Sequence, residues 1–198
     1  YAELEGAIGK FAAGLKELGV EKGDHVALLL GNTPHFIISL YATMRLGATA
    51  IPVNPIYTPD EISYIIQNGD VKAVIALDML LPLVEVGVKA FPQVEAYIVC
   101  ETTPDVGDKV AALSDAAKAK TKLFTHVIAG AQSFAQPVEV NNDDTAVILY
   151  TSGTTGHPKG AMLSHGNLYS NARDTGDYLQ MSATDRVITT LPVFHVFA

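Results

Sequence analysis

Short apolar runs alternate with amphipathic helical stretches along most of the chain, and this alternation limits the fold more than any other feature. The runs Val26–Leu30, Thr49–Val53, Val71–Leu77 and Val94–Val99 are too short for helices and carry almost no charge. Such continuous apolar strands suit a parallel sheet buried on both faces. Between them lie helical patterns. Leu4, Ile8, Phe11, Leu15 and Leu18 recur at three- and four-residue steps and predict a first helix ending at Gly19. Asn32-Thr33-Pro34 predicts a second, opened by a capping side chain and a first-turn proline and closed at Gly47. Thr58-Pro59-Asp60-Glu61 is a capping box for a third, over Ile62, Ile65 and Ile66 to Asn68-Gly69. A fourth helix is expected from Leu81 to Ala90. Strand–helix alternation of this kind predicts the α/β class, a layered parallel sheet with helices on both sides.

The second half is less regular. Val110 to Lys122 looks like one polar surface helix, and Leu123 to Asn142 gives no strong signal. The polar run Asn141-Asn142-Asp143-Asp144 suggests a subdomain seam rather than a linker. Beyond it, Thr145–Leu149 is another apolar strand, Ala161 to Ser164 is short and apolar, and a helix is expected over Asn167 to Leu179. Arg186–Leu191 reads as a last strand delivering Phe194-His195 to its end.

Chemistry concentrates in Tyr150-Thr151-Ser152-Gly153-Thr154-Thr155-Gly156-His157-Pro158-Lys159-Gly160, directly after the Thr145–Leu149 strand. Three glycines, the hydroxyls of Thr151, Ser152, Thr154 and Thr155, and Lys159 meet in this loop. Glycines let backbone N–H groups approach phosphate oxygens closely, and lysine adds a point charge. The loop is therefore a candidate triphosphate cradle; the same composition also suits a solvated surface turn. It is not a Walker loop, since Gly156 is followed by His157-Pro158 and Lys159 by Gly160. The dinucleotide glycine pattern is absent too. In open α/β sheets, ligands collect beyond the carboxyl ends of strands, so the loop and His195 are expected on one rim.

Charge and cysteine content narrow the partners. Among 198 residues, 13 basic against 21 acidic side chains give a net charge of −8, which argues against nucleic acid. A negative protein that binds a triphosphate has to gather positive charge locally, and His157, Lys159, His165 and Arg173 lie near the loop in sequence. The single cysteine, Cys100, ends an apolar run, reads as a buried core thiol and suits the reducing cytoplasm. Mean hydropathy is +0.24, yet no apolar run approaches the ~20 residues of a transmembrane helix. The start, Tyr1-Ala2-Glu3-Leu4-Glu5, is not a secretory signal and looks like a cut into a longer chain. No zinc-ligand spacing and no Gly-x-Ser-x-Gly elbow occurs.

The loop resembles the signature of the adenylate-forming (AMP-binding) superfamily. Three further stretches share the likeness: Tyr1-Ala2-Glu3-Leu4, Arg45-Leu46-Gly47-Ala48-Thr49-Ala50-Ile51-Pro52-Val53-Asn54-Pro55, and Leu191-Pro192-Val193-Phe194-His195. Ala161–Leu168 and Tyr169–Ala172 look most like bacterial long-chain fatty-acid–CoA ligases. The resemblance implies a partial N-terminal domain of the acyl-CoA synthetase and luciferase type over residues 1–198, lacking the small C-terminal domain and its adenylation lysine. It implies ATP, Mg²⁺ and CoA, with a fatty acid activated as an acyl-adenylate before transfer to CoA. Thr151, Ser152, Gly153, Thr154, Thr155, Gly156 and Lys159 would bind the ATP phosphates, and Thr151 would also contribute to the metal site. His195 would line the carboxylate end of the acyl pocket, where a packed core histidine is the other reading. Ala198 stands where the family usually has glycine.

Aryl-CoA ligation and amino-acid adenylation use the same chemistry. A catalytically incomplete nucleotide-binding or assembly module is the non-enzyme reading, and an incomplete sheet has an open edge through which copies can associate. On the resemblance, residues 1–198 alone would show negligible turnover.

Overall fold

The computed structural model describes residues 1–131, 135–151 and 158–195. The chain begins with helix α1 (Ala2–Glu17), strand β1 (His25–Leu29), helix α2 (Pro34–Arg45) and strand β2 (Thr49–Pro52). Helix α3 (Pro59–Asn68), strand β3 (Val71–Leu77), helix α4 (Leu81–Ala90) and strand β4 (Ala96–Cys100) follow. Two short helices, α5 (Val106–Ala111) and α6 (Asp115–Lys120), lead to strand β5 (Thr121–Leu123) and helix α7 (Phe124–Gly130). Strands β6 (Thr145–Thr151) and β7 (Lys159–Ser164) and helix α8 (His165–Tyr178) complete the described elements.

One seven-stranded sheet runs in the order β5-β4-β3-β1-β2-β6-β7. Every pairing is parallel except β6 with β7. Alternate residues of β1 feed two separate cores. Val26, Leu28 and Leu30 join α1, α2 and α7 on one face. Ala27 and Leu29 join α3 and α4 on the other. Covering both faces explains why the strands are apolar throughout rather than alternating. The chain leaves β1 toward the first face and β2 toward the second. That divergence opens a crevice at their carboxyl ends, the place where doubly wound sheets hold ligands.

Local signals match the structure where they were strong. Thr58 Oγ1 accepts from Glu61 N at 3.3 Å while Glu61 Oε2 accepts from Thr58 N at 2.8 Å, a complete capping box. Gly47 ends α2 with φ +68°, a conformation that costs glycine nothing. Cys100 is fully buried, and burial pushes its thiol well above the ordinary range.

Five expectations need correction. The predicted strand Arg186–Leu191 is not one: residues 186–190 are exposed and have no ladder partner among the described residues. Val110–Lys122 is not one helix but the end of α5, then α6 and the beginning of β5. Ser114 restarts the helix by accepting from Ala117 N, while its own N–H donates to Glu85. The featureless stretch after Leu123 contains α7, whose Phe124 and Val127 reach the core. Thr33 opens α2 ahead of Pro34 but makes no side-chain cap bond. Finally, the sheet is not wholly parallel, because the glycine-rich loop joins the two arms of an antiparallel hairpin.

Candidate functional site

Three short segments meet at the carboxyl ends of β2 and β6. They line a cavity of about 150 Å³ bounded by Pro52, Asn54, Tyr57, Tyr150, Thr151 and His195, among others. Pro52 helps to open it. Proline has no N–H to donate, so it ends a strand ladder. β2 pairs with β6 only at Ala50–Val147, two residues short of Pro52. Thr49 Oγ1 donates to the Thr145 carbonyl at 3.0 Å and ties the strands together below the gap. Above it the strands part, and Asn54 turns the chain away by accepting from Ile56 N at 3.1 Å.

The β6–β7 hairpin fixes the arms of the loop. Thr151 lies opposite Lys159, and Tyr150 opposite Gly160. Directly paired residues in an antiparallel ladder project to the same face, with Cβ atoms about 4.5–5.5 Å apart. Lys159 is therefore carried on the face of the hairpin that Thr151 presents to the cavity. Tyr150 anchors the hairpin to α3. Its hydroxyl donates to Asn68 Oδ1 at the end of α3, at 2.7 Å. Burial, with the nearby Tyr64 adding to it, pushes that hydroxyl above its ordinary pKa, so it stays a donor. Gly160 makes room for the ring: a Cβ there would meet Ile148 Cγ2 at 2.8 Å and Tyr150 Cζ at 3.1 Å. Gly160→Val is expected to destabilise the protein by roughly 1–3 kcal/mol through overpacking. A urea-denaturation midpoint unchanged from the parent would contradict the close contact.

The other wall comes from the Leu191–His195 segment. Val193 and Phe194, like Leu149, are partly buried and pack against the core on the α1, α2 and α7 face of the sheet. His195 N donates to the Pro192 carbonyl at 2.9 Å, closing a turn that sets the imidazole at the cavity wall. Thr151 and His195, separated by more than forty positions in sequence, thus border one space.

The remaining predicted residues divide. Ser152, Gly153, Thr154, Thr155, Gly156 and His157 lie outside the described residues. His165 and Arg173 are not gathered at the loop. The antiparallel return of β7 carries His165 to the far end of the hairpin, where Thr145 pairs with Ser164. Six residues at about 3.3 Å each put it roughly 20 Å from Lys159. There His165 begins α8, its backbone N–H donating to the Asp144 carbonyl. Arg173 is exposed and pairs with its neighbour Asp174 at 2.8 Å. Tyr57, Asn54 and Tyr150 line the cavity although the sequence did not mark them as site residues. Proline and asparagine after a strand marked a turn, but nothing local showed what the turn would face.

Thr151, the residue expected to contribute to the metal site, borders this cavity. The cavity lining includes no carboxylate, and no group of three His, Cys, Asp or Glu side chains able to hold a metal occurs among the described residues.

A larger groove, about 630 Å³, lies between α4 and the α5–α6 segment. Its polar groups are engaged with one another or with nearby backbone. Glu85 accepts from Ser114 N, Lys109 pairs with Asp105 at 3.0 Å, and the Asp78 carboxylate accepts from the hydroxyls of Thr102 and Thr103. The smaller cavity, at the carboxyl ends of β2 and β6, is the better candidate.

The AMP-binding enzyme family matches over residues 1–198. A long-chain-fatty-acid–CoA ligase of Mycobacterium tuberculosis is 33% identical over 199 residues, covering 100% of this chain and 36% of that protein. A 4-coumarate–CoA ligase of Oryza sativa subsp. japonica is 32% identical over 202 residues, covering 100% of this chain and 33% of its own length. The crystal structure of a long-chain-fatty-acid–CoA ligase from Archaeoglobus fulgidus superposes with a TM-score of 0.82 at 28% identity, over 98% of this chain and 35% of that one. The chain thus spans about a third of the length of these relatives. With its family signature matched from end to end, the chain belongs to the AMP-binding enzymes.

Proposed function

We propose that the protein carrying this segment is an ATP-dependent acyl-CoA ligase that activates a fatty acid. The observation behind this reading is the single cavity bordered by Thr151, at the root of the glycine-rich loop, and by His195. A carboxylate is a poor electrophile, so its acyl carbon needs a better leaving group before a thiol can attack. A carboxylate oxygen attacks the α-phosphorus of ATP, and the bond to pyrophosphate breaks. The thiolate of CoA then attacks the acyl carbon of the mixed anhydride, and AMP departs with the bonding pair.

Negative charge grows on the departing pyrophosphate during the first step. Fixed donors stabilise it without having to reorganise. Thr151 and the loop hydroxyls and amides would supply those donors, and Lys159 the cation. His195, across the cavity, would orient the carboxylate; an ionised acid needs no base. The cavity is small beside the roughly 300–1,000 Å³ that encloses a drug-sized ligand. It suits a carboxyl group and not an alkyl chain. The fatty-acid assignment rests instead on the likeness of residues 161–172 to fatty-acid–CoA ligases and on two relatives of that activity.

Acid-dependent ATP–pyrophosphate exchange in the complete protein tests the reading. Exchange driven by a long-chain fatty acid is expected. Exchange with a hydroxycinnamate alone would move the substrate to the aryl class, and no exchange with either acid would overturn the proposal.

A further inference from the structure

Asn32 sits three residues beyond the end of β1, just before α2, where its type and place suggest a helix cap. Its side chain is employed elsewhere. Nδ2 donates to the Leu191 carbonyl at 2.8 Å, and Oδ1 accepts from the Val193 N–H at 2.8 Å. One amide thus bonds the carbonyl before Pro192 and the N–H after it, the two groups that a neighbouring residue engages in a parallel ladder. Residues 186–193 form no strand, and apart from the Pro192–His195 turn these two bonds are what the described residues show joining them to the rest of the chain. We infer that Asn32 is a positioning residue, a side-chain clamp that holds His195 at the wall of the candidate cavity.

The geometry favours this role over a generic surface contact. The two bonds fall on either side of Pro192, whose ring fixes its own φ. The Pro192 carbonyl in turn accepts from His195 N. Clamping residues 191 and 193 therefore sets the orientation of the turn that presents the imidazole. The clamp itself is firmly mounted. Thr33 N donates to the Gly31 carbonyl at 2.8 Å, and Pro34 begins α2 directly afterwards, so Asn32 lies on a tight elbow between strand and helix. Only an amide of this length serves. Aspartate would place a carboxylate oxygen against the Leu191 carbonyl, serine carries a single group, and glutamine is a methylene too long.

The inference rests on the cavity being the acid-binding end of the site, and the test separates the two ideas. In the complete protein, Asn32→Ala is expected to raise KM for the carboxylic acid about tenfold while leaving KM for ATP within about twofold, since misplacing one orienting group weakens the substrate it orients. In a His195→Ala background the same change should add no more than about twofold, because residues acting as a unit are not additive. Asn32→Asp keeps the acceptor for Val193 N–H and loses the donor to Leu191, so a smaller rise in the acid KM is expected. It carries the same comparison if the alanine variant does not fold. Amide exchange at Val193 should quicken in both variants. An unchanged acid KM, equal rises in both KM values, or additive effects with His195→Ala would overturn the positioning role. If the parent shows no acid-dependent exchange, the functional reading falls by itself. Val193 protection then still decides the clamp: faster exchange in Asn32→Ala supports it, and unchanged exchange removes it.

Discussion

Phe11→Ala is expected to cost roughly 3–5 kcal/mol of folding stability, the range for removing a fully buried aromatic side chain. Phe11 is 0% exposed and lies at the junction of α1 with α7, its ring centroid 4.3 Å from that of Phe124 at a tilt of 31°. The surroundings leave little room for collapse into the space vacated. Gly14, one turn further along α1, is so close to α7 that a Cβ would come within 2.4 Å of Val127 Cγ1. Helices already in contact cannot close further, so a cavity would remain. Phe11→Leu, which preserves more of the volume, should cost under about 1.5 kcal/mol. Urea denaturation followed by far-ultraviolet circular dichroism measures both. A loss below about 1 kcal/mol for the alanine variant would mean that this face of the sheet is not a close-packed interior.

That face also shows where sequence reasoning stopped. α1 was legible because Ile8, Phe11 and Leu15 repeat at helical steps over sixteen residues. Its partner α7 was not. Seven residues are too few to establish a period, and α7 follows β5 without a turn residue between them. β5 escaped notice for a similar reason: it is three residues long, and the lysine-rich α6 before it made the stretch look helical throughout. The opposite error occurred at Arg186–Leu191. β-branched residues suggested a strand, but strand formation needs a neighbouring edge, and local composition carries no information about one.

The site divides along the same line. That Thr151 and His195 would share a rim followed from both being placed after apolar runs, together with the general rule for ligands in open α/β sheets. The rule succeeded for His195 although the strand assumed before it does not exist. Asn32, more than 150 positions away, brings that segment to the rim. Contacts of such separation leave no trace in a local pattern. The antiparallel sense of β7 was hidden too, and with it the fate of the local positive charge. Of the four basic residues near the loop in sequence, the hairpin keeps Lys159 beside Thr151 and removes His165 to its other end.

That arrangement makes Lys159 the sharpest test of the proposed chemistry. Lys159→Met in the complete protein is expected to slow acid-dependent ATP–pyrophosphate exchange about a hundredfold or more, the usual loss on removing a preorganised group that stabilises charge developing in a transition state. A hundredfold corresponds to about 2.7 kcal/mol of transition-state stabilisation. The fold should be indifferent to the change. Lys159 is exposed, and it makes no ion pair with another described residue, so the midpoint of thermal unfolding should stay close to that of the parent. Lys159→Arg keeps the charge but exchanges a compact ammonium for a planar fork, and should recover part of the rate. Exchange by the methionine variant within about threefold of the parent would be far too small an effect for a transition-state contact. It would leave the hairpin as a structural feature and remove Lys159 from the phosphate site. A large loss with normal unfolding, partly restored by arginine, would tie the effect to positive charge at this position, because neither side-chain packing nor the β6–β7 ladder would have changed.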